Sequence, residues 1–273
     1  MDDILGVSGR SAVVMGGGRG IGRESALLLA RAGAHVAVAD IDPTRAKTVA
    51  EEVADLGVRS VAIQGDVRVA ADADRMVEEA AVFAGGCFEI LINMIGIASW
   101  VSVLDVDDET WDHDLDMNLR HHLYVSRAAA RKMINAGIAG RMAVVASVDA
   151  YYASTNHPAY GVAKAGLLSL VKTMAQEWGQ YGIRINAVAP DAVLTPRVQE
   201  TIALRGFDPE VGPPQPHRPL ARWCTPVEIA APLLFFVSDL SSFVSGQTLV
   251  VDGGLFWVTS GRPGATAQAT PSG

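Results

Sequence analysis

The sequence is poor in cysteine. Only two of its 273 residues are cysteines, Cys87 and Cys224, and they form neither a C-x-x-C pair nor another metal-ligand spacing. Both are therefore expected to be small, buried side chains. We expect no metal site.

The sequence also lacks a basic cluster and a long apolar run. Its 22 lysines and arginines are outnumbered by 30 aspartates and glutamates, for a formal net charge of -8. An acidic chain without a basic patch is not expected to bind nucleic acid or an anionic membrane surface. No apolar run reaches the ~18 residues of a membrane span, and the first residues do not resemble a signal peptide. These absences predict a cytoplasmic protein.

What the sequence does contain is a regular alternation of short apolar runs and longer helical patterns. Valine, isoleucine and alanine dominate the short runs, as in parallel strands that are covered on both faces. The alternation predicts an α/β fold with a doubly wound, parallel, seven-stranded sheet, in a single domain over residues 1–260. The predicted strands are 11–16, 34–40, 60–64, 89–93, 142–147, 183–188 and 247–251, and the predicted helices are 20–32, 43–56, 71–83, 109–136, 158–180 and 226–237.

Two segments depart from this alternation. Residues 191–225 form a long, proline-rich connection that follows the carboxyl end of a predicted strand, where ligands bind in open α/β sheets. We interpret this segment as a substrate lid, although a disordered surface insertion is an alternative. Residues 261–273 are predicted to be a disordered tail.

A glycine-rich turn joins the first predicted strand to the first helix. Glycines permit positive φ and close approach of the backbone, and a helix N-terminus presents free N–H groups to a pyrophosphate. The turn is therefore a candidate dinucleotide site. Its candidate cofactor-binding residues are Gly16, Gly18, Arg19, Gly20, Ile21 and Gly22.

An acidic residue at the end of the second strand indicates which dinucleotide binds. Asp40 can accept hydrogen bonds from the adenosine ribose and would repel a 2′-phosphate. Arg19 favours the phosphate instead, but Ile41, the residue after Asp40, is not basic. We therefore predict NAD, with NADP as the alternative.

A second acidic residue follows the third strand. Asp66 could accept a hydrogen bond from the adenine amino group while Val67 packs against the ring. Asp66 could equally cap the next helix.

Tyr160 and Lys164 lie four residues apart in a predicted helix, so they share one helix face. A nearby ammonium favours the phenolate and is expected to lower the pKa of Tyr160. Such a phenol can donate a proton to a carbonyl oxygen or accept one from an alcohol.

Taken in order, these motifs closely resemble the short-chain dehydrogenase/reductase family, over about residues 8–257. The matching pieces are Gly16-x-x-x-Gly20-Ile21-Gly22, Asp66-Val67, Asn93-x-x-Gly96, Asn118, Ser147, Tyr160-x-x-x-Lys164, Pro190-x-x-x-x-Thr195 and Gly-Gln-Thr-Leu-Val-Val-Asp-Gly-Gly at 246–254. The resemblance implies a Rossmann-type fold and a homotetramer built through the two long helices and the last strand.

The resemblance also implies a catalytic role for each of four residues. Tyr160 would be the general acid and base, and Ser147 would hydrogen-bond the substrate oxygen. Lys164 would bind the nicotinamide ribose and lower the tyrosine pKa. Asn118 would hold a water that relays protons to the bulk solvent.

The cofactor contacts follow in the same way. Asp40 and Asp66 would bind the adenosine half of the dinucleotide. The remaining implied contacts are Asn93, Gly96, Tyr160, Lys164, Pro190, Val193 and Thr195.

Four residues depart from the family pattern. Met15 replaces a threonine that normally ties the glycine turn, so another group must do so. Met94 and Ile95 make the next cofactor loop bulkier and more apolar. Asp191 replaces a glycine after Pro190 and places a carboxylate near the nicotinamide or the substrate mouth.

The residues around the expected substrate pocket allow more than one interpretation. Trp100, Tyr151 and Tyr152 are core or pocket wall, and a wall of this kind suits a fairly apolar substrate. His157 could face the substrate, although a loop histidine at a helix start is the alternative. Asp149 could contact a polar substrate group or cap a turn.

The function predicted from the sequence is an NAD(H)-dependent oxidoreductase that interconverts a secondary alcohol and a ketone. One alternative is an NADPH-dependent 3-oxoacyl thioester (acyl-carrier-protein) reductase, which Arg19 favours and Asp40 opposes. Another is a non-catalytic dinucleotide-binding protein, because a fold does not fix a function.

Overall fold

The computed structural model describes residues 3–152, 154–216 and 218–255. Within these ranges seven parallel strands form one sheet in the order β3-β2-β1-β4-β5-β6-β7. The strands are β1 (Ser11–Met15), β2 (His35–Asp40), β3 (Ser60–Gln64), β4 (Ile90–Asn93), β5 (Arg141–Val145), β6 (Arg184–Pro190) and β7 (Thr248–Val251). The predicted doubly wound parallel sheet is confirmed.

Helices cover both faces of the sheet. They are α1 (Gly20–Arg31), α2 (Pro43–Ala54), α3 (Ala70–Phe83), α4 (Asp108–Leu115), α5 (His121–Ala136), α6 (Pro158–Trp178), α7 (Pro196–Leu204) and α8 (Pro226–Val237). One apolar core joins α1, α2 and α8 to the sheet, and a second joins α3, α5 and α6 to the opposite face. Along β1, Val13 contributes to the second core and Val14 to the first, because successive strand side chains point to opposite faces.

The helix predicted over 109–136 is not continuous. A single π-helical turn, Asp116–Arg120, separates α4 from α5. Such turns insert an extra residue into the helix and are frequent at functional sites. Asn118 lies within this turn.

The other predicted elements are present with small shifts of their ends, as at β6, which was predicted as 183–188 and is observed as Arg184–Pro190. The segment 191–225, which was interpreted as a lid, contains a helix that was not among the predicted ones, α7, which begins at Pro196. Pro196 occupies the first helical turn, where its missing N–H costs no hydrogen bond. The predicted tail, 261–273, lies outside the described residues.

Among the described residues, none of the helices has both the length and the apolar character that crossing a bilayer requires.

Candidate active site

The site lies at the carboxyl ends of the strands, where the strand order reverses between β1 and β4. In open α/β sheets this switch point forms a crevice that binds ligands. A cavity of about 410 Å³ occupies it. Its lining includes Gly16, Asp40, Asp66, Ile95 and Thr195, all of which were predicted from the sequence to line or flank the cofactor site.

The glycine turn brings the backbone close to this cavity. Gly16 and Gly20 have φ of 81° and 57°, which glycine adopts without strain. A Cβ at Gly22 would lie 2.0 Å from the carbonyl oxygen of Gly16, so only glycine fits there. No side chain caps the first turn of α1, so its N–H groups are available to an anion.

Two acceptors at the end of β2 tie this turn in place of the missing threonine. The N–H groups of Gly16 and Gly17 donate to the carbonyl of Ala39 at 2.8 and 2.9 Å. The N–H of Gly18 donates to Oδ2 of Asp40 at 2.9 Å. The end of β2 therefore holds the turn, and Met15 does not have to.

Asp40 is well placed for the predicted contact with the adenosine ribose. Its side chain lines the cavity and the residue is 7% exposed. Its Oδ1 also accepts from the N–H of Asp42 at 3.0 Å. A Cβ at Gly18 would lie 2.6 Å from Asp40 Oδ2, which explains why a side chain at position 18 is excluded.

Asp66 lines the cavity but is already paired. Arg68 Nη2 lies 2.5 Å from Oδ2 of Asp66, and the hydrogen bond from Arg68 holds the pKa of Asp66 below its usual value. Asp66 does not cap the next helix, because α3 begins at Ala70 with Val69 at its N-cap. Contact with an adenine stays a prediction. Val67 is buried beside Asp66.

Arg19 is directed toward the lid. Its Nη1 lies 3.8 Å from Oε1 of Glu200 on α7. Pro196, at the start of that helix, would lie 3.5 Å from a Cβ on Gly20. Helix α7, in the segment interpreted as a lid, therefore packs against the glycine turn.

The structure brings together predicted catalytic side chains that follow the carboxyl end of β5 and lie in the first turns of α6. The side chains of Ser147 and Tyr160 are close enough for hydrogen bonding from Ser147 to act on the pKa of Tyr160. Lys164 Nζ donates to the carbonyl of Val145 at 2.9 Å and lies 5.6 Å from the centre of the Tyr160 ring. Ser147 and Lys164 are both buried.

The pKa of Tyr160 is raised at this site, whereas the sequence argument expected it to be lowered. Burial disfavours the phenolate and raises the pKa of Tyr160 to about 12, although the hydrogen bond from Ser147 acts the other way. Burial also lowers the pKa of Lys164 to about 7. The sequence argument failed because it counted the charge of the lysine but not the loss of water around both groups.

Asn118 holds the loop that follows β4. Its Nδ2 donates to the carbonyls of Ile97 at 2.7 Å and Asp114 at 2.9 Å, and its Oδ1 accepts from the N–H of Ile97 at 3.1 Å. The side-chain amide is thus used by the protein. The water-binding role expected of Asn118 stays a prediction.

The two predicted backbone positions that follow β4, Asn93 and Gly96, have different neighbours. A Cβ at Gly96 would lie 2.8 Å from Asn118 Oδ1 and 3.0 Å from Lys164 Nζ, so only glycine leaves the lysine room. Asn93 is fully buried and contacts His121, with 3.4 Å between Nδ2 and Nδ1. His121 and the neighbouring His122 are fully buried, and burial lowers the pKa of His121 to about 3.

The predicted lid residues follow the end of β6. Pro190 ends that strand, Val193 forms a parallel bridge to Cys224, and the Thr195 hydroxyl caps α7 by accepting from the N–H of Val198 at 3.4 Å.

Asp191, the departure after Pro190, has a partner that the sequence did not reveal. Arg218 Nη2 lies 2.7 Å from its Oδ2, and the guanidinium of Arg218 lies 5.2 Å from the ring of Trp223. Both residues of this ion pair are largely buried. The pair connects the end of the sheet to the far part of the lid, and no short-range spacing in the sequence points to it.

Comparisons with known proteins agree on the family. A family model described as Enoyl-(Acyl carrier protein) reductase matches residues 16–256. The chain is 35% identical to L-rhamnose 1-dehydrogenase (NAD(P)(+)) of Azotobacter vinelandii, over 90% of this chain and 96% of the relative. It is 31% identical to 2-dehydro-3-deoxy-D-gluconate 5-dehydrogenase of Escherichia coli, over 91% of this chain and 96% of the relative.

A solved structure gives the same result. The crystal structure of a short-chain type dehydrogenase/reductase from Mycobacterium marinum superposes with a TM-score of 0.84 at 30% identity, covering 93% of this chain and 98% of that one.

Proposed function

This chain belongs to the short-chain dehydrogenase/reductase family, and from that premise we propose that it is an NAD(H)-dependent oxidoreductase that interconverts a secondary alcohol and a ketone. The observation that carries the proposal is the grouping of Ser147, Tyr160 and Lys164 beside the cofactor-sized cavity. The Ser147 hydroxyl can position the substrate oxygen, and the Tyr160 phenol can exchange a proton with it. The Lys164 amine lies next to the phenol.

The cavity fits a dinucleotide. The glycine turn leaves no room for a Cβ at Gly18 or Gly22, and the uncapped start of α1 suits a pyrophosphate. Asp40 would hold the adenosine ribose, and Lys164 would hold the nicotinamide ribose. When bound, NAD(H) supplies the hydride donor or acceptor.

The protein's own groups handle the proton. In ketone reduction, Tyr160 donates its proton to the substrate oxygen, and the Ser147 hydroxyl hydrogen-bonds the same oxygen as its negative charge develops. In alcohol oxidation, the Tyr160 oxygen accepts the hydroxyl proton. The ammonium of Lys164 stabilises the phenolate that this second direction requires.

A screen for redox activity tests the proposal. Purified protein is mixed with NAD and a panel of secondary alcohols, or with NADH and the matching ketones, and absorbance of NADH is followed. The proposal expects turnover in both directions with at least one pair. Tight NADH binding with no turnover across the panel would favour a non-catalytic dinucleotide-binding protein.

The preference for NAD over NADP rests on Asp40. Replacing Asp40 with asparagine keeps an acceptor oxygen for the N–H of Gly18 but removes the negative charge. We expect the ratio of NADPH to NADH affinity to rise at least tenfold, because the repulsion of a 2′-phosphate is lost. Calorimetric titration of both cofactors measures this ratio.

A control tests whether the loss of any nearby negative charge has the same effect. Asp55→Asn removes a carboxylate at the exposed C-terminal end of α2, outside the cavity lining, and it should leave the ratio unchanged. Tighter binding of NADPH than NADH by the unaltered protein would contradict the NAD assignment.

A 3-oxoacyl thioester reductase is the second candidate, because Arg19 lines the cavity and could pair with the 2′-phosphate of NADPH. Activity with NADPH on an acetoacetyl thioester, exceeding that of NADH on simple ketones, would select this candidate.

The homotetramer also belongs to this proposal. Within the described residues β7 pairs on one side only, and Leu249 on it and Phe243 just before it are exposed. An edge of this kind suits contact with a second copy. Light scattering on the eluting peak of a sizing column measures the assembly, and a monomer would refute it. The cytoplasmic location stays a prediction.

A further inference from the structure

A polar pair lies beside the catalytic tyrosine, in a wall that was expected to be apolar. Nδ1 of His157 lies 2.9 Å from Oδ2 of Asp149. The side chain of His157 is 18% exposed and that of Asp149 is 10% exposed. A carboxylate held this close to the imidazole, and largely away from bulk water, fixes the orientation of the ring by a hydrogen bond.

Both ends of the carboxylate are held. The Ser154 hydroxyl donates to Asp149 Oδ1 at 2.5 Å, while Oδ2 faces the imidazole. With Nδ1 directed at the carboxylate, the neutral ring carries its proton there and presents Nε2 as an acceptor. In the described part of the chain Nε2 has no hydrogen-bond partner, and it is not among the buried unpaired atoms.

The pair is linked to the reaction centre on two sides. The ring centre of His157 lies 5.6 Å from that of Tyr160, and on another side it lies 4.6 Å from the ring of Trp100, edge-on. The N–H of Asp149 donates to Ser147 Oγ at 3.2 Å. An oxygen held between Ser147 and Tyr160 therefore has His157 as a close neighbour.

We propose that His157, oriented by Asp149, binds a hydroxyl on the carbon next to the reacting carbon, so that the enzyme selects vicinal diols and α-hydroxy ketones. The inference rests on the proposed function and names its substrate class. An imidazole Nε2 acceptor takes a hydrogen bond from an O–H, and neither a methyl group nor an ether can supply one. A site built around such a bond rejects analogues that lack the hydroxyl, because its own polar group is then left unpaired.

Matched ketones test this directly. Acetoin and butanone differ only by the neighbouring hydroxyl, and the methyl ether of acetoin keeps the oxygen but lacks the proton. With NADH, the unaltered enzyme should prefer acetoin over both in kcat/KM. In His157→Phe the preference for acetoin over butanone should fall at least tenfold, mainly through KM, as expected for a buried hydrogen bond to the substrate.

Two further variants separate binding from support of the fold. Asp149→Asn loses the charge that orients the ring, so its preference should fall between those of the unaltered enzyme and His157→Phe. A second cavity, beside the pair, is lined by His157, Asp149 and Ser102. Ser102→Ala removes a hydroxyl that donates to Asp105 and not to the pair, so this variant should keep the full preference. Two results would overturn the proposal. In one, His157→Phe keeps the preference for acetoin over butanone; in the other, the unaltered enzyme uses the methyl ether as well as it uses acetoin.

A measurement of ketone binding without turnover distinguishes failure of this inference from failure of the proposed function. In a Tyr160→Phe background loaded with NADH, calorimetry measures acetoin and butanone binding without turnover. Tighter binding of acetoin, lost when His157→Phe is added, supports the inference even if no ketone turns over. Equal binding of the two ketones refutes it, whatever the activity.

Discussion

Tyr160→Phe is expected to lower kcat by between about a hundredfold and ten-thousandfold, the range that positioned proton transfer contributes. The variant keeps the ring, which fills the buried space beside Lys164, and loses only the oxygen that Ser147 contacts. Without that oxygen the site loses the side chain that is positioned to exchange a proton with the substrate oxygen. Steady-state rates of NADH formation and consumption on the same substrate pair measure the loss.

The affinity for NADH provides the control. Because the aromatic ring remains and the glycine turn lies on another loop, we expect the dissociation constant of NADH in the variant to stay within about threefold of the original, which is less than one hydrogen bond contributes. A variant that loses NADH binding together with activity would indicate a damaged pocket rather than a missing proton donor. Unchanged kcat would remove Tyr160 from the mechanism.

Ordinary sequence patterns were sufficient to predict the sheet and the motifs around it. The apolar runs of the strands are continuous because both faces are covered, and two separate cores on the two faces are what such runs require. The carboxylate at the end of β2 was also informative. A carboxylate in a buried strand must have hydrogen-bond partners, and Asp40 accepts from the N–H groups of Gly18 and Asp42.

The sequence could not predict features that depend on tertiary contacts. The π-turn at Asp116–Arg120 interrupts a helix that the sequence predicts as continuous, because the turn contains no proline or glycine to mark the break. The pairing of Asp191 with Arg218 joins residues on a loop that has no periodicity of its own. Neither feature follows from spacing along the chain.

The pKa of Tyr160 illustrates a third kind of limit. Spacing on a helix gives the distance between two side chains, but it does not give the amount of water around them. At this site the loss of water dominates both groups, raising the pKa of Tyr160 and lowering that of Lys164. The polar pair Asp149 and His157 was similarly left open, because its significance depends on a distance that only the fold sets.

Gly22→Ala should damage both the fold and the cofactor site. The added Cβ would lie 2.0 Å from the backbone oxygen of Gly16 and 2.7 Å from Sδ of Met94, and the backbone oxygen cannot move without opening the glycine turn. Overpacking of this kind costs roughly 1–3 kcal/mol of unfolding free energy and occasionally more. Denaturant unfolding and calorimetric titration with NADH measure the two effects, and we expect NADH affinity to fall at least tenfold.

A second glycine supplies the matched control. Gly179 has a φ of -56° just after α6, and an added Cβ would meet nothing within 4 Å. Gly179→Ala should therefore leave NADH affinity unchanged and, by reducing the freedom of the unfolded chain, raise the unfolding free energy by roughly 0.4–1 kcal/mol. If Gly22→Ala instead bound NADH as the original protein does, the tight approach of α1 to the glycine turn would not be what forms the pyrophosphate site, and the cofactor would have to be held chiefly through its two ribose groups.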